Sequence, residues 1–261
     1  MITLDTILLE KYKTVQELYK QHNLDDLYSK IQQLPKCLSL IDTLKNADFL
    51  PIIAEIKRAS PSLGVIRPTI DITQQAKLYE DGGAVALSVL TDAQFFSGHL
   101  NDIQTVKKSV NLPVLRKDFI VDRIQLLEAR LANADAILLI AAALKPESLK
   151  SLYKETLELG MTPLIEIHDK SELDTVLPLE PELIGINNRN LKTMKIDLSI
   201  SETIRPLISS TLFVIGESGI QNTNDIIRLR KAGINGFLIG TLLMTTNNPS
   251  EMLKQLITHG R

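Results

Sequence analysis

The sequence has no tryptophan, a single cysteine at Cys37, and aromatic side chains at only 4% of its positions. One cysteine can form neither an intrachain disulfide framework nor a thiolate zinc cluster, and it suits a reducing compartment. We interpret Cys37 as a small hydrophobe. The four histidines also lack the spacing of a metal motif such as HExxH, so we predict no metal site.

Long apolar runs and a strong net charge are likewise missing. The longest apolar run, Ala136 to Leu144, is less than half of the roughly 20 residues that a transmembrane helix needs. Asp5 and Glu10 stand where a signal peptide would be basic and then apolar. The formal net charge is −2, and the basic segment from Arg228 to Lys231 is interpreted as a solvated helix face. We therefore expect a cytoplasmic protein that binds neither membranes nor nucleic acid.

Eight short apolar runs alternate with amphipathic segments of helix length from Pro51 onward. Runs of nearly unbroken apolar character are typical of a parallel sheet whose two faces are covered by helices. The length of 261 residues also lies near the ~250 that are typical of a (β/α)8 barrel. The runs are PIIAEIK, AVALSVLT, PVLRKD, AILLIAA, TPLIEI, LIGINN, LFVIGES and GFLIG.

The sequence thus predicts an α/β fold, a (β/α)8 TIM barrel over about residues 49–261 that forms one domain with an N-terminal helical extension of about residues 1–48. An open doubly wound sheet is the alternative, but neither GxGxxG nor GxxxxGK[ST] follows the first strand. Helical spacing recurs twice in the extension, first in Leu8, Tyr12, Val15 and Leu18, and then in Leu27, Ile31 and Leu34.

Polar residues cluster at the carboxyl ends of the predicted strands, which is the end where barrel enzymes build their active sites. Glu55 and Lys57 are two residues apart and therefore leave the same face of the first strand. Each polar residue could instead be a solvated strand end or half of an ion pair, but convergence of five strand ends favours a site. The others are Lys117, Glu166, Asn187, Arg189, Glu217 and Ser218.

Two glycine segments follow the last two predicted strands. GESGI and IGT contain Gly219 and Gly240, where exposed backbone N–H groups could bind an anion. Taken singly, each segment is more simply an ordinary tight turn. Their shared place after strands seven and eight is the usual phosphate position of a barrel, and a phosphorylated small molecule is the predicted ligand.

Seven motifs, in order between Pro51 and Met244, resemble the indole-3-glycerol phosphate synthase family. They are AEIKRASPS, FFSGHL, LPVLRKDFIVD, LIEIHD, IGINNRNLKT, ESGI and FLIG. The resemblance implies a carboxy-lyase of tryptophan biosynthesis. Its substrate would be 1-(2-carboxyphenylamino)-1-deoxyribulose 5-phosphate, which undergoes ring closure, decarboxylation and dehydration to indole-3-glycerol phosphate without a cofactor.

The resemblance also implies roles for individual residues. As catalytic residues it implies Lys57, Lys117 and Glu166, with Glu55, Asn187 and Ser218 as their polar support. For phosphate it implies Ser60, Gly219, Gly240 and Thr241. For the ring pocket it implies Phe95, Phe119, Leu138 and Ile140, with Arg189 and Glu217 on the polar part of the substrate.

Two other functions are weighed against this interpretation. Another phosphate-binding barrel, phosphoribosylanthranilate isomerase, would need a Cys and Asp acid/base pair, but Cys37 precedes the predicted strands. A barrel that only binds a partner would not need Lys57, Lys117 and Glu166 together. The family resemblance is compatible with a monomer, and the sequence leaves association with other tryptophan-pathway enzymes open.

Overall fold

The computed structural model describes residues 3–191 and 193–260. The barrel strands are β1 (Ile52–Ile56), β4 (Ala86–Leu90), β5 (Val114–Lys117), β6 (Ala136–Ile140), β7 (Thr162–Ile167), β8 (Leu183–Asn187), β9 (Phe213–Glu217) and β10 (Gly236–Ile239). These eight parallel strands close in the order β1-β10-β9-β8-β7-β6-β5-β4, with β1 also paired to β4, which confirms the predicted TIM barrel. A hairpin of β2 (Ala59–Ser60) and β3 (Gly64–Val65) follows β1.

Helices precede the barrel and alternate with its strands. The helices are α1 (Leu4–Gln21), α2 (Leu24–Ile31), α3 (Leu40–Lys45), α4 (Ile72–Asp81), α5 (Ala93–Phe96), α6 (Asn101–Ser109), α7 (Arg123–Leu131), α8 (Pro146–Glu158), α9 (Leu173–Val176), α10 (Ser199–Ile204), α11 (Thr223–Lys231), α12 (Thr241–Thr245) and α13 (Pro249–His259). Short 3₁₀ turns lie at Ala141–Ala143, Lys170–Glu172, Leu177–Leu179 and Arg205–Leu207. Within the described residues, no helix combines the length and apolar character that crossing a bilayer requires.

Local sequence signals explain where several of these helices begin and end. Asp122 caps α7 in a reciprocal capping box with Gln125, and Pro146 occupies the first position of α8. Gly160 and Gly233 follow α8 and the last turn of α11 with φ of 76° and 95°. Glycine adopts this left-handed conformation without the steric cost that a Cβ would add.

Strand alternation divides the apolar side chains into two layers. Side chains such as Leu87 and Ile165 point outward and pack under the helices, whereas Leu115, Leu164 and Ile215 fill the barrel interior. The inward positions become polar toward the carboxyl ends of the strands, as with Glu166 after Leu164. The fold thus leaves one polar opening at the end where the sequence placed its candidate residues.

The N-terminal extension runs from one end of the barrel to the other. Thr3 and Ile7 of the α1 region line the cavity at the carboxyl ends of the strands, whereas α3 packs its Leu40 and Leu44 into the interior core. The backbone N–H of Leu40 also donates to Thr162 at the start of β7. The extension therefore closes the amino-terminal end of the barrel and contributes to its opposite end.

The buried face of α1 differs from the one that we predicted. Ile7, Lys11 and Val15 are its buried residues, and Tyr12, which we placed on the apolar face, is 50% exposed. A spacing of four residues places all three on one side of a helix. The spacing of apolar residues did not reveal this face, because its central residue, Lys11, is polar.

Candidate active site

One cavity of about 470 Å³ lies at the carboxyl ends of the barrel strands, within the usual range for a small-molecule site, about 300–1,000 Å³. It gathers fifteen of the sixteen residues predicted from the sequence. They are Glu55, Lys57, Ser60, Lys117, Phe119, Leu138, Ile140, Glu166, Asn187, Arg189, Glu217, Ser218, Gly219, Gly240 and Thr241. The sixteenth, Phe95, does not line the cavity, and its neighbour Phe96 does.

The first charged pair comes from β1 and the residue that follows it. The Lys57 Nζ atom lies 2.8 Å from the Glu55 Oε1 atom, and both side chains are largely buried. The Glu55 carboxylate occupies the space beside Gly240, the residue after the neighbouring strand β10, where a Cβ would collide with it. The absence of a side chain at Gly240 thus serves this ion pair as well as the anion site that the sequence suggested.

A second cluster joins β5, β7 and β9. Lys117 Nζ lies 3.2 Å from Oε2 of Glu166 and 3.6 Å from Oε2 of Glu217, and both carboxylates are 2% exposed. Burial acts to lower the pKa of Lys117, but Glu166, Glu217 and Glu55 outweigh it and raise that pKa well above its ordinary value. Lys117 therefore carries its proton throughout the physiological pH range.

The two carboxyl groups of this cluster have opposite pKa shifts. Burial alone would raise the pKa of Glu166, yet the neighbouring Lys117 and His168 hold it far below its usual range. Burial and the negative charge of Glu166 raise the pKa of Glu217 well above its ordinary value. Two carboxyl groups whose pKa values are shifted in opposite directions, beside one ammonium, form an arrangement that suits proton transfer.

Asn187 and Ser218 lie at the ends of β8 and β9, and buried hydrogen bonds hold both turns. Asn187 Oδ1 accepts a 3.0 Å bond from the backbone N–H of Arg189. The Nδ2 group of Asn188 donates to the carbonyls of Glu217 and Ser218 at 3.0 and 3.2 Å. Asn188 is fully buried, and its Oδ1 accepts from the hydroxyl and the backbone N–H of Ser201. It was not predicted, because these partners lie on distant segments and give no local motif.

The predicted phosphate residues lie together at one end of the cavity. Ser60 comes from the hairpin after β1, Gly219 from the turn after β9, and Gly240 and Thr241 from the start of α12. Ser218 and Gly219 both have positive φ, at 62° and 88°. The first N–H groups of α12 lack helical partners, and Thr241 and Leu242 line this end of the cavity.

The opposite wall is apolar. Leu138 and Ile140 project from β6, and the rings of Phe96 and Phe119 lie with centroids 6.3 Å apart. The predicted Phe95 does not line the cavity. Asp92 caps α5, and successive helical residues point about 100° apart, so Phe95 and Phe96 face different directions. The wall therefore carries Phe96 as its second aromatic ring.

Comparisons with known proteins show the family of this chain. The sequence model of the family described as indole-3-glycerol phosphate synthase matches residues 4–256. The chain belongs to the indole-3-glycerol phosphate synthase family. Proteins with that name from Bacillus cereus and Bacillus mycoides are 46% and 45% identical to it over 252 residues, 96% of each chain. One from Bacillus anthracis is 46% identical over 246 residues, 94% of each chain.

Solved structures of other enzymes share only the fold. Thiamine phosphate pyrophosphorylase from Pyrococcus furiosus has a TM-score of 0.59 at 13% identity, covering 85% of this chain and 98% of its own. The N-acetylmannosamine-6-phosphate 2-epimerase from Clostridium perfringens has a TM-score of 0.60 at 15% identity, covering 83% and 94%. Both likenesses support the TIM barrel.

The motifs that resemble the indole-3-glycerol phosphate synthase family lie between Pro51 and Met244, so they do not include the N-terminal extension. Its Lys11 is 8% exposed, and its Nζ atom lies 2.7 Å from Asp92 and 2.6 Å from Asp118. Burial would raise the pKa of Asp118, but Arg116 and Lys11 lower it to about 2. The extension thereby forms ion pairs with Asp118, which is next to Lys117, and with Asp92, which caps the helix that contains Phe96.

Gly185 of β8 offers a test of how tightly this indole-3-glycerol phosphate synthase site is packed. A Cβ at Gly185 would collide with the Glu217 carboxylate, whereas a Cβ at Gly216 would meet side chains at an ordinary 3.4 Å or more. We expect Gly185→Ala to displace Glu217 and to lower kcat by about 10- to 100-fold, the size of effect that a small misplacement of a reacting group produces. Steady-state kinetics compares it with Gly216→Ala, and equal activity of the two would contradict the prediction.

Proposed function

We propose that this chain converts 1-(2-carboxyphenylamino)-1-deoxyribulose 5-phosphate into indole-3-glycerol phosphate, carbon dioxide and water. The observation that carries the proposal is the convergence of Lys57, Lys117 and Glu166 on one cavity. That cavity has glycine turns at one end and an apolar wall at the other. A substrate with a phosphate at one end and an aromatic ring at the other matches this division.

The phosphate would bind at the end formed by Ser60, Gly219 and Gly240, where backbone donors are available. The aromatic ring would then lie against Phe119, Leu138 and Ile140. This orientation places the carbon atoms that join the ring to the phosphate between Lys57 and Lys117. The reacting carbonyl is thus brought to the charged part of the cavity.

Ring closure begins with attack of the aromatic carbon that bears the carboxylate on the substrate carbonyl. Negative charge then develops on the carbonyl oxygen, and the ammonium of Lys117 donates a proton to it. The substrate nitrogen supplies the electron pair for this attack, so the step needs no added electron sink. Loss of carbon dioxide restores aromaticity in the six-membered ring.

Dehydration completes the indole. The departing hydroxyl group needs a proton as its carbon–oxygen bond breaks, and Lys57, beside Glu55, supplies it. A base must remove the remaining proton, and Glu166 is ionised because its pKa is held low. Arg189 and Glu217 line the same part of the cavity and contact the polar part of the substrate.

The competing functions find less support in the site. Phosphoribosylanthranilate isomerase chemistry would need a cysteine in the cavity, but Cys37 lies beside the carbonyl of Ala134, before β6 and away from the cavity residues. A barrel that only binds a partner gives no reason for burying two lysines among three glutamates, because desolvating these charges costs free energy.

Indole fluorescence tests the proposal directly. The chain contains no tryptophan, so indole emission that grows on addition of the carboxyphenylamino substrate reports the product with little protein background. We expect product with a phosphate and an indole ring, and one equivalent of carbon dioxide. A folded protein that gives no indole emission from this substrate would overturn the proposed function.

The aromatic wall gives a second test. We expect Phe119→Ala and Phe96→Ala to raise KM roughly three- to tenfold, because each removes one aromatic contact with the substrate ring. Phe95→Ala is the matched control, since Phe95 adjoins Phe96 but does not line the cavity. Steady-state kinetics measures the three variants. A larger rise in KM for Phe95→Ala than for Phe96→Ala would mean that Phe95, and not Phe96, contacts the substrate ring.

A further inference from the structure

His168 stands two residues after Glu166, where β7 has just ended. The two side chains leave the same face of the chain, and the His168 Nε2 atom lies 3.2 Å from Oε1 of Glu166. The side chain of His168 is 8% exposed, and His168 is not among the residues that line the cavity. It therefore contacts the candidate catalytic carboxylate from behind, where the substrate does not reach.

The two oxygens of Glu166 have different partners. Oε2 lies beside Lys117, which is in the cavity, and Oε1 lies beside His168. A carboxylate with a donor at each oxygen cannot rotate freely about its last bond. Among residues 3–191 and 193–260, neither ring nitrogen of His168 has a partner with hydrogen-bond geometry. The polar atom recorded beside the buried ring is Oε1 of Glu166, 3.2 Å from Nε2.

The backbone of His168 is held separately from its ring. Its N–H donates to Oε2 of Glu172 at 3.0 Å, in the 3₁₀ turn that follows β7. Asp169 caps that turn through the N–H of Ser171. The turn fixes the position of His168 so that the ring meets Glu166 without support from the substrate.

We propose that His168 is a positioning residue that donates a hydrogen bond from Nε2 to Glu166 and keeps this carboxylate ionised and oriented for proton removal. The inference rests on the proposed function and assigns the reaction a residue beyond the cavity wall. An imidazole Nε2–H suffices for this donation, because the neutral ring also carries one donor.

Several charged groups surround the pair and set the sign of the pH effect. Burial disfavours the ionised form of Glu166, whereas Lys117, His168 and Glu217 favour it. Glu55 acts on the neighbouring Lys117 and Glu217, and Glu172 and Asp169 lie on the His168 side. Removing the His168 donor leaves Lys117 as the main stabilising partner. The pKa of Glu166 then rises, and the acidic limb of kcat/KM moves to higher pH.

The experiment compares His168→Leu, which has no donor, with His168→Gln, whose amide N–H can reach the place of Nε2. In the leucine variant we expect kcat to fall about tenfold, which is the size for one hydrogen bond to a carboxylate. Its KM should stay within about twofold of the original, because His168 does not touch the substrate. The glutamine variant should keep both kcat and the acidic limb.

The outcomes separate this inference from the proposed function. If the unmodified protein makes no product, the proposed function fails, whatever His168 does. If the unmodified protein is active and His168→Leu matches it in kcat and in pH profile, the inference is wrong. Equal loss in the leucine and glutamine variants, with unchanged melting temperatures, would also overturn it. Should the leucine variant not fold, His168→Met takes its place as the variant without a donor.

Discussion

Lys117→Met is expected to lose nearly all turnover while substrate affinity changes little. General acid catalysis contributes about 10²- to 10⁴-fold, and methionine keeps the length of the side chain without its proton. Affinity should persist because the phosphate end and the aromatic wall consist of other residues. Single-turnover indole fluorescence measures the chemical step, and calorimetry measures binding.

Removing Lys117 also leaves Glu166 and Glu217 without their shared cation. The double variant Lys117→Met with Glu217→Gln removes one basic and one acidic group. It therefore tests whether activity is lost through charge imbalance or through loss of the proton donor. We expect it to melt closer to the original protein and to stay inactive. Lys154→Met controls for loss of a surface lysine, since the Lys154 side chain is 78% exposed. Substantial turnover in either variant without Lys117 would exclude it as the acid.

The barrel could be predicted from the sequence because each of its strands is an apolar run that can be recognised locally. Runs such as AILLIAA and LIGINN are apolar on both faces, and only a sheet covered on one side by helices and on the other by its own interior buries both. The rule that active sites lie at the carboxyl ends of barrel strands then brings Glu55, Lys117 and Glu166 together without any knowledge of side-chain geometry.

The features that the sequence did not predict depend on contacts between distant segments. Lys11 is buried because Asp92 and Asp118 receive its charge, and those residues follow it by 81 and 107 positions. Periodicity counts lysine as polar, so it placed Tyr12 on the buried face instead. The choice between Phe95 and Phe96 depends on the rotation of a four-residue helix, which apolar pattern cannot resolve.

Gly240 has a structural role in addition to the one predicted from the sequence. The sequence placed it at a phosphate turn, and the structure adds that a side chain there would collide with the Glu55 carboxylate. A substitution at Gly240 would therefore disturb the Lys57–Glu55 pair as well as an anion bound to the turn. Loss of activity in such a variant could not be assigned to phosphate alone, and Lys57 is better tested at its own position.

Lys57→Met is expected to depress both binding and turnover, in contrast to Lys117→Met. Besides protonating the departing hydroxyl, Lys57 is proposed to hold the substrate carboxylate before ring closure. An ammonium bonded to a carboxylate contributes about 1.5–3 kcal/mol, so we expect Kd to rise by about tenfold or more. Calorimetry and single-turnover fluorescence measure the two effects on the same preparation.

The partner of Lys57 provides the control for this variant. Removing Lys57 leaves the buried carboxylate of Glu55 without the ammonium that lies 2.8 Å away, and an unpaired buried charge destabilises a fold by up to about 3–5 kcal/mol. In Glu55→Gln with Lys57→Met that charge is gone, so the melting temperature should recover while binding and turnover stay low. If activity returned together with stability, Lys57 would act only as the partner of Glu55. If binding fell equally in Lys57→Met and Lys117→Met, the two lysines would share one role and the proposed division between them would be wrong.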